Sequence, residues 1–172
     1  MSRISVRRNM STATKDKLSK LGEMIKDIRV AMLCTRHGDH IHGRPMGVQD
    51  VDFESDIWFF SSDDSDKVLD IHRDPQVNVT FSDPGHHRFV SVSGTAEIIR
   101  DEKKSKELWT PWAKAWFPDG ADDPRLVLIR VKVEHAEYWD GPSSKVVTLF
   151  SLIGSIITRK PFDAGENEQV EL

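Results

Sequence analysis

Cysteine is almost absent from this chain: Cys34 stands alone among 172 residues, which excludes an internal disulfide and any site built on paired thiolates. It follows the apolar run Val30-Ala31-Met32-Leu33, so a buried, inert thiol is expected in preference to a reactive one. Long hydrophobic runs are missing too. No stretch approaches the roughly 20 apolar residues of a membrane-spanning helix, and Arg3, Arg7 and Arg8 lead into no apolar segment of the kind a secretory signal requires. Excess positive charge is the third absence. The net charge is -4 with 30% charged residues, so no overall field draws the chain to nucleic acid or an anionic membrane. A soluble, cytoplasmic protein is expected, with small molecules and other protein chains as partners.

The length suits one domain with a real core. No internal repeat and no low-complexity linker divides it. The expected organisation is a flexible extension over 1–12, a domain over 13–160 and a polar tail over 161–172, loosely ordered from Ala164 to Leu172; Met1 and Met10 each offer a translation start.

Within the domain, Leu18, Leu21, Met24, Ile25 and Ile28 recur at helical spacing, which predicts an amphipathic helix over Thr14 to Ile28. Val30 to Arg36 and His42 to Asp50 read as two strands of a hairpin whose turn holds Gly38 and Asp39. Ile57 to Phe60 predicts a short apolar strand. Ser62 to Asp66 offers caps for a helix carrying Val68, Leu69 and Ile71, ended by Pro75. Gln76 to Ser82 and Phe89 to Ile99 are further strands, the second with Gly94 at a bulge. Asp101 and Glu102 open a helix through Leu108. Leu126 to Trp139 is a long strand in which Val127, Ile129, Val131 and Val133 face a core or a partner, with Trp139 in phase with them. A final amphipathic helix is expected over Ser144 to Thr158. Six or seven strands joined mostly by hairpins predict a mainly antiparallel β-barrel with flanking helices.

Chemistry concentrates in Gly43-Arg44-Pro45-Met46 and Phe59-Phe60-Ser61-Ser62-Asp63-Asp64-Ser65-Asp66-Lys67. Lys67 falls in the first turn of a helix preceded by Ser61, Ser62 and Ser65, where free backbone N–H groups, hydroxyls and an ammonium converge on one dianion. Simple helix capping is the competing reading. Asp63, Asp64 and Asp66 oppose an anion unless they point outward. Arg44 shares a strand face with His42 and Met46, and its guanidinium can fork onto a phosphate or bond the carbonyl edge of a flat cofactor. Pro45 removes a ladder donor and marks an edge or bulged position. Trp139 is either a core or interface residue or a ring closing a pocket. Trp109, Trp112, Trp116 and Phe117 exceed the needs of a small core and suit a ligand or a subunit interface equally. The pattern points to a flavin nucleotide. Seven histidines include His37, His40 and His42 and the pair His86-His87. Without paired cysteines or a His-Glu-x-x-His pattern, no metal site is expected. No Ser-His-Asp arrangement is identifiable.

These segments, with Phe89-Val90-Ser91-Val92-Ser93-Gly94-Thr95-Ala96, Trp116-Phe117-Pro118 and Glu137-Tyr138-Trp139-Asp140-Gly141, resemble the FMN-binding split barrel superfamily that includes pyridoxamine 5'-phosphate oxidase. The likeness is to its general stress protein 26 branch and runs over most of the chain. It implies an antiparallel split β-barrel, a homodimer, and two FMN sites at the subunit interface lined by both chains. Carried over by position, Arg44, Pro45 and Met46 meet the flavin ring and ribityl chain. Phe60, Ser61 and Ser62 lie beside the cofactor, Lys67 binds its phosphate, Gln49 sits near the reactive edge, Trp116 belongs to the same set, and Trp139 approaches from the partner. The oxidases carry a lysine where this chain has Gln49, and an arginine and a histidine after the tryptophan where it has Pro142-Ser143-Ser144-Lys145-Val146-Val147. Lys145 can stand in for the arginine, but Val147 cannot do a histidine's chemistry, so oxidation of pyridoxamine phosphate itself is not expected. The resemblance implies flavin-dependent redox chemistry on a small molecule in a stress-related protein. The alternatives are a flavin-binding or sensing module without turnover, and a split barrel holding a deazaflavin or haem.

Overall fold

The computed structural model describes residues 12–52, 56–141 and 166–171. Helix α1 (Thr12–Ile25) leads into β1 (Val30–His37), β2 (His40–Asp52) and β3 (Asp56–Ser62). Then follow α2 (Asp66–Arg73), β4 (Gln76–Asp83), β5 (Arg88–Ile99), α3 (Glu102–Leu108), 3-10 turns at Pro111–Ala115 and Gly120–Asp122, β6 (Leu126–Asp140) and β7 (Glu166–Glu171). All strand pairings are antiparallel, in the order β3-β2-β1-β4-β5-β6-β7, and β3 also pairs with β6. That last pairing closes six strands into a barrel. The expected split barrel is the fold observed.

The barrel is split because its long strands change partners along their length. Val30 to His37 pair with Gly47 back to His40, whereas β2 meets β3 only from Val48 onward. The first half of β2 therefore has a free edge, and Pro45 occupies it, where the missing N–H costs no ladder bond. The two-residue turn Gly38-Asp39 is made by Gly38 at φ +65°, a conformation that suits glycine in tight hairpins.

Leu21, Met24 and Ile25 of α1 plug the barrel core with Leu33, Phe59, Val79, Phe81, Val92 and Ile129, all buried. A second apolar cluster, Phe60, Leu108, Ala113, Phe117, Leu126 and Leu128, lies between the barrel wall and the α3 to 3-10 segment. It buries Leu126 and Leu128, which the alternation placed on the face away from the core: this half of β6 is covered on both sides.

Three expectations are corrected. Trp139 is out of phase with Val131 and Val133, because the β5–β6 register shifts between Ser93 and Gly94 and Glu134 is the extra residue. Beyond it Ala136 and Tyr138 take the core positions, and Trp139 stands across from Phe89 on the outer face. The polar tail is not loose over its whole length, since Glu166 to Glu171 pair with Asp140 to His135 as β7. Cys34 is half-buried, not buried. The helix expected over Ser144 to Thr158 lies outside the described residues.

Candidate functional site

The free edge of β2, the end of β3, the first turn of α2 and the tryptophan-rich 3-10 turn enclose a pocket of about 480 Å³, within the range that holds a nucleotide-sized ligand. Of the ten residues singled out in the sequence, nine line it: Arg44, Pro45, Met46, Gln49, Phe60, Ser61, Ser62, Lys67 and Trp116. Trp139 does not. Neither do Asp63, Asp64 and Asp66: Asp63 is paired with Arg100 and Asp64 accepts a bond from the Ser62 hydroxyl, so two of the three acidic groups are held by partners at the rim.

One side of the pocket is cationic. Arg44 donates from Nη1 to the Thr35 hydroxyl at 2.8 Å and from Nη2 to Asp70 at 3.4 Å. Thr35 in turn donates to Asp70 at 2.8 Å, and His37 Nδ1 lies 2.7 Å from the other carboxylate oxygen. Asp70 is fully buried. Burial alone would raise its carboxyl pKa, but the bonds from Thr35 and His37, the His37 charge and the Arg44 bond outweigh that and hold it below the ordinary value. Lys67 is also shifted down: burial and the nearby Arg44 guanidinium lower its pKa, partly countered by Asp66 and Asp64. Two cations crowded together and partly desolvated are poised to gain from an incoming anion. The hydroxyls of Ser61 and Ser65 lie 3.0 Å apart. Ser65 caps α2 by position without a side-chain bond to its first turn; its carbonyl accepts from the Val68 N–H at 3.0 Å and the Leu69 N–H at 3.2 Å, so only the N–H groups ahead of Val68 face the helix entrance.

The other side is aromatic. Trp112 and Trp116 pack edge-to-face at 4.6 Å between ring centres, and Phe60 meets Phe117 at 6.4 Å. The Trp112 ring lies directly on Gly47, where a Cβ would come within 2.1 Å of Cζ3. Because the ring is exposed and can swing away, Gly47→Ala is expected to cost only about 1 kcal/mol, the low end for overpacking. The check is a changed near-UV circular dichroism signal with a small shift in the urea midpoint. Gln49 is turned inward by a β-bulge: Val48 opposes Phe59 and Asp50 opposes Trp58, so Gln49 is the unpaired residue. Its amide donates to the Gly47 carbonyl at 3.1 Å and accepts from the Thr110 hydroxyl at 3.4 Å.

Sequence reasoning missed Arg125 in the lining. Its guanidinium grips the buried Asp123 at 3.1 and 3.3 Å, and only the return of β6 beside β3 brings it to the pocket. Trp112 was visible as part of the aromatic concentration, and its spacing of four from Trp116 was the available signal.

The sequence pattern of the family described as pyridoxamine 5'-phosphate oxidase like matches residues 16–163. The chain belongs to this family. Within it the likeness is to the general stress protein 26 branch, as expected. Protein bli-3 of Neurospora crassa is 28% identical over 156 residues, covering 84% of this chain and 75% of that relative. The general stress FMN/FAD binding protein of Xanthomonas citri is 32% identical with a TM-score of 0.66, over 76% of this chain and 92% of that one. General stress protein 26 of Bacillus anthracis is 26% identical with a TM-score of 0.63, over 72% and 92%. As a pyridoxamine 5'-phosphate oxidase-like protein, the chain has the family's barrel with a pocket at its split. Among the described residues no helix is long and apolar enough to cross a membrane.

Proposed function

We propose that the pocket binds flavin mononucleotide at the interface of a cytoplasmic homodimer and that the protein performs flavin-dependent redox chemistry on a small molecule. The observation that carries this reading is the make-up of the lining, in which Arg44, Lys67, Ser61 and Ser62 supply charge and hydroxyls while Trp112, Trp116, Phe60 and Phe117 supply flat apolar surface. A ligand with a dianionic phosphate and a flat aromatic ring matches both parts. When bound, the flavin supplies hydride or electron transfer. Lys67 and the first turn of α2 would hold its phosphate, Arg44 would supply a fixed positive charge, Gln49 would offer its amide as a hydrogen-bond partner, and the aromatic residues of the lining would exclude water. The Xanthomonas citri relative, a general stress FMN/FAD binding protein, supports the ligand class.

The dimer is supported by an apolar strip on β1 and β2 next to the pocket. Val30, Met32 and Ile41 are exposed there, beside the exposed Trp112 and Trp116. A second copy covering this strip would complete the pocket. Trp139 and its cross-strand neighbour Phe89 stand outside the pocket of their own chain, free to approach the site of the other.

A second reading, a flavin-holding module without turnover, is favoured by one feature: among the described residues the lining offers no carboxylate and no imidazole for general acid–base work. The visible spectrum after adding FMN and desalting tests the binding. Retained flavin at about one per chain is expected, and a colourless protein would refute it. Lys67→Ala should weaken FMN by ~1.5 to 3 kcal/mol, the worth of a charge-assisted bond; an unchanged dissociation constant would remove Lys67 from the phosphate site. Reduction by a nicotinamide donor followed by reoxidation by a small-molecule acceptor separates the enzyme from the module.

A further inference from the structure

We propose that His37, His42 and Asp70 form a binding site for a divalent transition metal beside the pocket. Nothing in the sequence spacing marks it, because its three donors come from β1, β2 and α2. Their ligand atoms all lie within 4.8 Å of one another, close enough for a small rotamer adjustment to bring them around one ion. The register explains the convergence: His42 stands directly across from Thr35, so it flanks His37 on the same face of the hairpin, and the two rings meet edge-on at 6.1 Å.

Asp70 is prepared for the part. One of its oxygens is engaged by Thr35 and Arg44, while the other, among the described residues, is bonded by His37. A ligating carboxylate is ordinarily held by hydrogen bonds on its second oxygen, which fixes the direction of the first. Here the second oxygen has that support, on a carboxylate that is fully buried. His37 and His42 are exposed, so the site is open to entry and retains positions for water or a small anion. Two imidazoles and one carboxylate select zinc, cobalt, nickel or ferrous iron over calcium or magnesium, which prefer oxygen donors. The Arg44 guanidinium on the far oxygen opposes the added positive charge, which lowers the expected affinity. The site stands independently of the flavin reading.

The structure also contains its own controls. His86 pairs with Asp83 at 2.7 Å and His40 with Asp39 at 3.1 Å, but among the described residues neither pair gathers a third donor. The test is calorimetric titration of tag-free protein with Zn²⁺, supported by the visible ligand-field bands of Co²⁺. The expected result is one Zn²⁺ per chain, with affinity reduced about tenfold or more in His42→Ala and in His37→Ala, and unchanged in His86→Ala. Melting temperature and flavin content should stay constant in His42→Ala, whose side chain is outside the pocket lining. Equal Zn²⁺ affinity in wild type and His42→Ala, loss on His86→Ala instead, or no saturable uptake at millimolar metal would overturn the site.

Discussion

Gly94→Ala is expected to destabilise the barrel by about 3 kcal/mol or more, above the usual range for one added methyl in a packed position. A Cβ at Gly94 would lie 2.0 Å from the carbonyl oxygen of Lys132 and 3.4 Å from Val131 Cγ1. The first neighbour is backbone in the adjacent strand. It cannot rotate away as the Trp112 ring can at Gly47, so the β5–β6 ladder itself must separate. That ladder is the seam from which both halves of β6 hang: Leu126 to Lys132 pair with β3, and His135 to Asp140 pair with β7. Against a total stability of roughly 5 to 15 kcal/mol, such a loss is visible as a large fall in the urea midpoint. A change below about 1 kcal/mol would mean that the close approach relaxes at little cost.

The same seam shows what the sequence could and could not disclose. Gly94 was legible as a bulge because an isolated glycine in a strand pattern marks a bulge or a close approach of neighbouring backbone. Its consequence was not legible. The extra residue falls on the adjacent strand, at Glu134, where Thr95 donates to the carboxylate at 2.7 Å, and it reverses the alternation for every residue that follows. An unbroken period of two therefore assigned Trp139 to the core that Tyr138 occupies. Helix α1, the β1–β2 hairpin and strand β4 were readable, since their composition, periodicity and turn residues are local signals. Strand β7 was not, because Glu166-Asn167-Glu168-Gln169-Val170-Glu171 has almost no strand propensity and its pairing is fixed by the edge of β6 it completes.

The pocket follows the same division. Arg44, Pro45 and Met46 sit together on one strand, and Ser61, Ser62 and Lys67 span one strand-to-helix turn, so placing two segments placed six residues. Gln49 also lies on β2, but its inward turn depends on a bulge that only the β2–β3 register reveals. Arg125 and Asp70 depend wholly on tertiary closure. Asp70 occurs in a short helix beside Val68 and Ile71, and in sequence it looks like one more solvated carboxylate in a chain with 28 Asp and Glu.

Asp70→Ala is the second large effect, on the order of 3 kcal/mol, at the lower end of what removing one partner from a buried charge pair costs. The lower end applies because water reaches part of the pair. The His37 side chain is 47% exposed and that of Arg44 is 16% exposed, whereas the carboxylate is 0% exposed. Once the carboxylate is gone, Thr35 loses its acceptor in a buried position, His37 returns to solvent, and the Arg44 guanidinium keeps only the Thr35 bond. Asp70→Asn preserves the volume and one acceptor, so it should recover part of the loss. Its remaining deficit then reports the charge. Urea unfolding of the two variants gives the stability term. A flavin titration under folding conditions gives a separate one, because an Arg44 without its anchor samples more rotamers and greets a ligand less often in the binding geometry. Weakened flavin binding with Arg44 itself unchanged would identify Asp70 as the residue that holds the cation toward the pocket. Full stability in Asp70→Ala would instead mean that the buried carboxylate brings no net gain over a neutral side chain, as some buried ion pairs do not.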